Sequence, residues 1–259
     1  MIPQAAEQVA AAIELTAELL RLAKNAVVLT GAGISTPSGI PDFRSEGTGL
    51  WSRDEPLEVA SLETFRTHPE RFYQWFRPLA NQIFSASPNP AHLAVASLQK
   101  DGRLRQVITQ NIDMLHHKAG SMPVIEVHGT LRSLTCTCCY HKYDSLEYLP
   151  AFLQSGELPL CRRCGAILKP DVILFGEQLP QAAWRAAESA CCGCDLILVA
   201  GASLEVLPVA SLPMKALDHG AHLVIINQTP TYLHVRADVA ILGDVASLLP
   251  KIAEQVLNG

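Results

Sequence analysis

Four cysteines in the middle of the chain have the spacing of a metal site. Cys136 and Cys139 are separated by two residues, 21 residues follow, and Cys161 and Cys164 repeat the same gap. Two such pairs can supply four thiolates to one tetrahedral zinc ion, because the two-residue gap lets backbone amides support both sulfurs. Four thiolates close the coordination sphere, so the spacing predicts one structural zinc ion.

The remaining candidate ligands leave two alternatives open. Cys138 offers a second register, and His141 offers a competing nitrogen ligand. Three further cysteines, Cys191, Cys192 and Cys194, have no second pair and precede an apolar run, which is typical of small core residues. For a chain expected in the cytoplasm, cysteines at two-residue gaps favour metal binding over disulfides.

A glycine-rich turn follows the first apolar run, residues 26–29. Glycines at Gly31 and Gly33 would let backbone amides approach a pyrophosphate. The dinucleotide fingerprint is incomplete, because Thr36 stands where a third glycine is expected and no acidic residue follows a second strand at the usual distance. The pattern therefore disfavours an ordinary dinucleotide-dependent oxidoreductase, and by itself it also fits a plain tight turn.

Amide, carboxylate and imidazole groups follow two other apolar runs. Gln110, Asn111 and Asp113 come after residues 107–108, and His128 comes after residues 124–127. Amides and carboxylates can hydrogen-bond ribose hydroxyls and a carboxamide, although Asn and Asp are also ordinary turn formers. Histidine titrates near neutral pH, which makes His128 a candidate general base.

These chemical groups share one structural context. Five apolar runs end at small or polar residues, namely 26–29, 107–108, 124–127, 196–200 and 223–226, and helical segments such as 91–100 and 181–190 lie between them. Such runs predict buried parallel strands in an open α/β sheet with helices on both faces. Ligands bind beyond the carboxyl ends of such strands. The sequence therefore places the site at that edge.

Composition excludes several classes of function. The chain has 259 residues, 49% of them hydrophobic and 17% charged, and a net charge of −5 with scattered basic residues, so we expect no direct binding of nucleic acid or of a membrane surface. The apolar segment 196–214 contains Glu205, Pro208 and Pro213, which argues against a membrane span. Residues 1–25 fit an amphipathic helix better than a signal peptide. We expect a cytoplasmic monomer.

Taken together, the motifs resemble those of the sirtuin family, with a bacterial-type catalytic core. The matching segments are 31–45, 109–113, 128–129, the two cysteine pairs, 175–177 and 201–208, in family order between about Lys24 and Val245. The resemblance implies a Rossmann-like NAD-binding domain with a small inserted zinc-binding and helical part. It also implies an NAD-dependent protein lysine deacylase that acts on acyl-lysine peptides, with NAD and one zinc ion as its cofactors.

The same resemblance assigns roles to individual residues. His128 and Asn111 are the implied catalytic residues. Implied cofactor contacts are Gly31, Ala32, Gly33, Thr36, Asp42, Phe43, Arg44, Gln110, Asn111, Ile112, Asp113, Gly201, Ser203, Asn227, Asp244 and Val245. The substrate peptide would enter as a strand between two walls, formed by Ile173, Phe175, Gly176 and Glu177 and by Leu204 and Val206. One position departs from the family: Ala202 replaces the usual Thr or Ser, which puts one hydroxyl contact with the cofactor in doubt.

The implied reaction begins when the acyl-lysine amide oxygen displaces nicotinamide from NAD. His128 then takes a proton from the ribose hydroxyls, and the products are nicotinamide, free lysine and 2'-O-acyl-ADP-ribose. Two alternatives stay open at this point. A protein mono-ADP-ribosyltransferase would give a different product, and a non-enzymatic NAD or ADP-ribose sensor would tolerate loss of His128.

The same comparison of motifs predicts a three-part chain and an acyl preference. Residues 1–42, 85–128 and 171–259 would form the Rossmann-like domain, 43–84 a helical part with the cofactor-binding loop, and 129–170 the zinc part. Sirtuins that remove succinyl groups place Tyr-x-x-Arg in the helical part, whereas here Phe76 stands three residues after Tyr73 and Arg77 one residue further. One residue turns a helix by about 100°, so Arg77 would point elsewhere. We expect acetyl and longer uncharged acyl groups to be accepted and succinyl to be handled poorly.

Overall fold

Six buried apolar segments assemble into one parallel sheet in the computed structural model, which describes residues 5–42, 49 and 55–259. The strands are β1 (Ala26–Thr30), β2 (Gln106–Thr109), β3 (Val124–Glu126), β7 (Leu196–Ala200), β8 (His222–Asn227) and β9 (Val239–Leu242). Their order across the sheet is β3-β2-β1-β7-β8-β9. The five strands expected from the sequence are confirmed, and β9 is an additional edge strand.

Helices cover both faces of this sheet. On one face α1 (Ala6–Leu22), α5 (Pro90–Lys100) and α10 (Val245–Asn258) pack together, and on the other face lie α8 (Gln181–Gly193) and α9 (Leu212–Asp218). The central strand β1 is buried along its whole length, because a strand covered on both faces excludes water from every side chain. The α/β fold with helices on both faces is therefore confirmed.

Local sequence signals set where these helices begin. The Asn89 side chain accepts a hydrogen bond from the Ala91 amide (2.9 Å) ahead of α5, and Pro90 occupies its first turn. The Asp244 carboxylate likewise accepts from the Ala246 amide (3.1 Å) at the start of α10. Both arrangements satisfy amides that the first helical turn leaves unpaired.

A smaller sheet and a group of helices form the rest of the structure. The strands β4 (Gly129–Cys136), β5 (Lys142–Asp144) and β6 (Leu168–Val172) pair antiparallel in the order β5-β4-β6. The helices are α2 (Pro56–Val59), α3 (Leu62–Thr67), α4 (Pro69–Ser85), α6 (Leu115–Lys118) and α7 (Leu149–Ser155). One core joins α4 and α7 to β4 and β6, through side chains such as Phe72, Phe76, Leu131, Phe152 and Val172.

The sequence also led to expectations about membrane-spanning segments and about the division of the chain into parts. In the part of the chain that the structure describes, every helix is too short or too polar to cross a bilayer. The division into segments 1–42, 85–128 and 171–259, 43–84, and 129–170 stays a prediction. The core around α4 and α7 includes residues from all three of these parts, such as Ile40, Phe72 and Leu131.

Candidate functional site

One large cavity lies beyond the carboxyl ends of the parallel strands. Its volume is about 1130 Å³. The segments that follow β1, β2, β3, β7, β8 and β9 all contribute to its lining, and residues 172–179 and the helix α4 close it from the other side. A site at this edge is what the strand pattern predicts, because loops at the carboxyl ends of neighbouring parallel strands converge.

Three glycines lock the loops after β1 and β7 against each other. The Gly33 amide donates to the Gly201 carbonyl (2.8 Å), and a Cβ added at Gly33 would lie 2.9 Å from that oxygen. A Cβ at Gly201, which has φ +62°, would lie 2.4 Å from the Ile34 nitrogen, and one at Gly31 would lie 2.9 Å from Ala202. These glycines therefore permit a close backbone approach that larger residues would prevent.

A buried polar network joins the loops after β1 and β2. The Asn111 side-chain amide donates to the Gly31 carbonyl (3.0 Å) and to the Ser35 hydroxyl (3.1 Å), and Ser35 donates to an Asp113 carboxylate oxygen (2.6 Å). The other Asp113 oxygen accepts from the Leu115 amide (2.8 Å). Burial raises the pKa of Asp113, although both hydrogen bonds to its carboxylate act in the opposite direction. Because its amide hydrogens are engaged, Asn111 offers its Oδ1 atom to a ligand.

His128 is oriented by a backbone carbonyl. Its Nδ1 atom lies 3.0 Å from the Gln110 carbonyl oxygen, which can only accept a hydrogen bond, so Nδ1 is the protonated nitrogen and Nε2 of the neutral ring is a proton acceptor. Burial lowers the pKa of His128, and the hydrogen bond to Gln110 partly offsets this. The residue lines the cavity. It is therefore a neutral base at pH 7.

Gly129 brings the β3–β4 connection close to β6. It has φ +80°, and a Cβ at this position would lie 2.0 Å from the Asp171 carbonyl oxygen. The close approach lets the Ile173 amide donate to the His128 carbonyl (2.9 Å). His128 and the segment that follows β6 are thus held in a fixed position relative to each other.

The segment after β6 forms one wall of the cavity. The Phe175 amide donates to the Ala60 carbonyl (3.0 Å), and the Leu62 amide donates to the Phe175 carbonyl (2.9 Å). Phe175 is still 39% exposed. Ser203 and Val206, in the segment that follows β7, also belong to the lining. The segments after β6 and β7 thus both border the cavity.

The inner end of the cavity is apolar. Its lining there includes Phe72, Trp75, Phe76, Leu79 and Ile83, all from α4. Phe72 and Phe76 are stacked with ring centroids 5.4 Å apart.

The side chains of Tyr73 and Arg77, also in α4, bind backbone carbonyls of residues outside the cavity lining. Tyr73 donates its hydroxyl proton to the Leu168 carbonyl (2.5 Å), and Arg77 donates to the carbonyls of Leu153 (2.9 Å) and Gln154 (2.7 Å). The described lining includes no lysine or arginine side chain.

Most of the residues singled out from the sequence meet at this cavity. Those in its lining are Gly31, Ala32, Gly33, Thr36, Asp42, Gln110, Asn111, Ile112, Asp113, His128, Ile173, Phe175, Gly176, Glu177, Gly201, Ser203, Val206, Asn227 and Val245. Asp244 and Leu204 are not in the lining: Asp244 caps α10, and Leu204 is buried with φ +58°. Phe43 and Arg44 lie outside the described residues.

Sequence reasoning missed Ser35, a residue of the lining. Ser35 connects Asn111 to Asp113, and its position directly after the glycine turn was the available signal. The aromatic side chains of α4 were expected beside the acyl pocket from the motif comparison, and Phe72, Trp75 and Phe76 do lie in the cavity lining.

The four cysteines of the predicted metal site converge. The sulfur atoms of Cys136, Cys139, Cys161 and Cys164 all lie within 4.8 Å of one another. Two of the distances, Cys136 to Cys164 at 3.4 Å and Cys139 to Cys161 at 3.6 Å, approach the separation of about 3.8 Å that zinc–sulfur bonds of about 2.3 Å give in a tetrahedron. The donor set therefore fits one zinc ion.

Neither alternative ligand joins this cluster. Cys138 is exposed, and its amide donates to the Cys136 sulfur (3.4 Å). His141 places Nδ1 3.1 Å from the Arg163 guanidinium. The Tyr143 hydroxyl lies 3.2 Å from the Cys161 sulfur. Hydrogen bonds to the sulfurs help to hold them in place, as neighbouring groups do for metal ligands in general.

Comparisons with known proteins give the family of this chain. Residues 31–208 match the model of the Sir2 family. The NAD-dependent protein deacylase 2 of Archaeoglobus fulgidus is 46% identical over 245 residues, which are 94% of this chain and 96% of that protein. Sir2Af2 bound to a myristoylated histone peptide is 41% identical with a TM-score of 0.83, over 96% of this chain and 98% of that one. A complex of Sir2, a p53 peptide and NAD+ is 38% identical with a TM-score of 0.83, over 93% and 97%. The chain therefore belongs to the Sir2 family.

Proposed function

We propose that this protein is an NAD-dependent protein lysine deacylase. The observation that carries the proposal is that His128, held with Nε2 as the proton acceptor, lines the same cavity as the Asn111–Ser35–Asp113 network and the segments after β6 and β7. A reaction between a nucleotide and a peptide side chain requires a base, a polar binding region and an opening for the peptide. The cavity provides all three. The names of its relatives support the same activity.

The residues present fit NAD. The cavity has a volume of about 1130 Å³, and such pockets can enclose a ligand of this size. Its polar lining offers hydroxyl and amide groups of Ser35, Thr36, Gln110, Ser203 and Asn227, which match ribose hydroxyls, phosphate oxygens and a carboxamide. Bound NAD supplies an anomeric carbon that loses nicotinamide to a nucleophile.

We assign the cofactor-binding roles along the strand ends. The residues are Gly31, Ala32, Gly33, Thr36, Asp42, Gln110, Asn111, Ile112, Asp113, Gly201, Ser203, Asn227 and Val245, with Phe43 and Arg44 from the sequence resemblance. The amide group of Asn111 is fixed by Gly31 and Ser35, so its Oδ1 atom is oriented before a ligand arrives, which lowers the cost of binding. Ala202 brings a methyl group where a hydroxyl is usual, so no side-chain hydrogen bond is available from it.

His128 acts as the general base in this proposal. Its neutral ring takes a proton at Nε2 from a ribose hydroxyl, while the Gln110 carbonyl holds the protonated Nδ1. The lowered pKa keeps the ring unprotonated at pH 7, so the base is available without a prior proton loss.

The acyl-lysine substrate enters as a strand between the two walls. Ile173, Phe175 and Gly176 provide one wall, and Ser203, Glu205 and Val206 provide the other. Pairing through backbone groups makes few demands on the peptide sequence, which suits an enzyme that acts on many proteins. The apolar end of the cavity then receives the acyl group, and this favours deacylation over the transfer of ADP-ribose to a protein side chain.

Zinc has a structural role in this proposal. The four thiolates would leave no coordination position for substrate. Cys136 is the last residue of β4, the other three cysteines lie in loops, and none of the four is in the cavity lining. The three-part division of the chain, which follows from the motif comparison, belongs to the same proposal, as do the monomeric state and the cytoplasmic location.

One pair of measurements separates this enzyme from an NAD sensor. We expect His128→Ala to abolish deacylation of an acetyl-lysine peptide and to leave the Kd for NAD within several-fold of the wild type, because the imidazole transfers a proton and is not the main cofactor contact. Near-normal turnover of this variant would contradict the assigned mechanism. Absence of NAD-dependent turnover in the wild type would contradict the proposed function itself.

A further inference from the structure

A partly buried ion pair lies under the cavity wall formed by residues 173–176. The Lys169 ammonium in β6 is 2.9 Å from an Oε2 atom of Glu177, and the two side chains are only 15% and 25% exposed. Most ion pairs on a protein surface are exposed and contribute little. This pair is less hydrated, so its attraction is screened less by water and salt.

Both side chains also hydrogen-bond to the backbone, Lys169 before the wall and Glu177 within it. The Lys169 ammonium donates to the carbonyls of Val172 (2.8 Å) and Pro170 (3.1 Å), so all three of its protons have acceptors. The same Glu177 oxygen accepts from the Leu174 amide (3.1 Å). One carboxylate oxygen thus ties the end of β6 to the turn that follows it.

The ion pair lies beside the turn 174–176, which belongs to the wall assigned to the substrate. The Glu177 amide donates to the Leu174 carbonyl (3.0 Å), and the turn passes through Gly176 at φ +81°. On the outer side, Phe175 pairs with Ala60 and Leu62. The backbone groups of this turn are therefore held from two directions, once by the helical part and once by the ion pair.

We propose that Lys169 and Glu177 are positioning residues that hold the turn 174–176 in the geometry needed to pair with the substrate strand. The inference rests on the proposed deacylase function. It also gives Glu177 a role other than the direct substrate contact that the sequence resemblance implied, because its carboxylate is directed at Lys169 and the Leu174 amide. Affinity for the peptide depends on the pair, whereas NAD, which binds at the strand ends, is not affected.

The test compares Lys169→Met, Glu177→Gln and the double variant with the wild type. Glu177→Gln keeps the size of the side chain and an acceptor for the Leu174 amide, so it stays informative if Lys169→Met folds poorly. Asp101→Asn is the matched control, because it removes an exposed ion pair with Arg103 (3.1 Å) whose residues do not line the cavity. Deacylation kinetics give KM for peptide and for NAD separately, and hydrogen exchange reports on the amides of residues 172–178 without any turnover.

We expect each single substitution to raise the peptide KM about tenfold, as for one lost charge-assisted hydrogen bond, with KM for NAD unchanged. The double variant should resemble either single variant, and residues 172–178 should exchange faster in all three. The inference is wrong if only Glu177→Gln affects the peptide KM, if the two effects add, if KM for NAD rises in parallel, or if exchange is unchanged. Failure of the proposed function is a separate outcome, because the wild type would then show no NAD-dependent deacylation.

Discussion

The acyl group that this enzyme prefers follows from the apolar end of the cavity. We compare acetyl-, butyryl- and succinyl-lysine on one peptide sequence. The side chains that would surround the acyl chain include Phe72, Phe76 and Ile83, which are at most 2% exposed. A succinyl carboxylate placed among them would lose water without gaining a cationic partner from the described lining.

The magnitude can be worked from the charges in the lining. Burial of an unpaired carboxylate costs several kcal/mol, and about 1.4 kcal/mol is a factor of ten, so we expect kcat/KM for the succinyl peptide to be lower than for the acetyl peptide by a factor of about 100 or more. Each further buried methylene of a neutral chain gains about 0.8 kcal/mol. The butyryl peptide should therefore react at least as efficiently as the acetyl peptide.

Arg77 directly follows Phe76 in the sequence, but its guanidinium already donates hydrogen bonds to the backbone. It donates to the carbonyls of Leu153 and Gln154, and these hydrogen bonds would have to break before the guanidinium could pair with an acyl carboxylate. The variant Arg77→Met is the control. It should leave the ratio of succinyl to acetyl activity unchanged, as measured by mass spectrometry with the peptides in competition. Equal efficiency on succinyl and acetyl peptides, or a ratio that depends on Arg77, would contradict an apolar acyl pocket.

Three further predictions concern pH and zinc. The pH profile of kcat/KM should fall on the acid side with an apparent pKa below 6.5, because burial lowers the pKa of His128; an acid limb above pH 7 would contradict the assignment. The free energy of unfolding should decrease by about 3 kcal/mol as pH falls from 6.5 to about 4. The reason is that burial lowers the pKa of His92 from 6.5 to about 4, so that unfolding takes up a proton in this range. Chemical denaturation at several pH values should show a smaller loss for His92→Gln. Elemental analysis should find one zinc ion per chain. Replacement of Cys161 and Cys164 by serine should release the metal and lower the melting temperature. Purified protein without zinc, or an unchanged melting temperature of the variant, would contradict a structural zinc ion.

Some of the fold and the site could be predicted from sequence patterns, and the reason is physical. Strands buried on both faces, such as β1 and β7, are continuous apolar runs and are therefore visible without a structure. The edge strand β9 has alternating burial over four residues, which is too short a pattern to separate from a loop. Cysteine spacing predicted the metal cluster because two residues between ligands constrain the local geometry.

Other features depend on contacts between distant segments. The hydrogen bonds of Ser35 with Asn111 and Asp113 span 76 and 78 residues, so no local pattern contains them. The direction of the Glu177 side chain depends on the path of β6 beside the turn, and the resemblance to a family could not supply it. The apolar end of the cavity likewise depends on how α4 packs.

The stoichiometry of the products distinguishes NAD-dependent deacylation from transfer of ADP-ribose to protein. A purified enzyme, NAD and an acetyl-lysine peptide are incubated, and nicotinamide, deacetylated peptide and acetyl-ADP-ribose are followed by mass spectrometry, with His128→Ala as the matched control. We expect the three products in equal amounts with the wild type and no deacetylated peptide with the variant. Nicotinamide release with ADP-ribose attached to the peptide or the protein, and without deacetylation, would contradict the proposed deacylation.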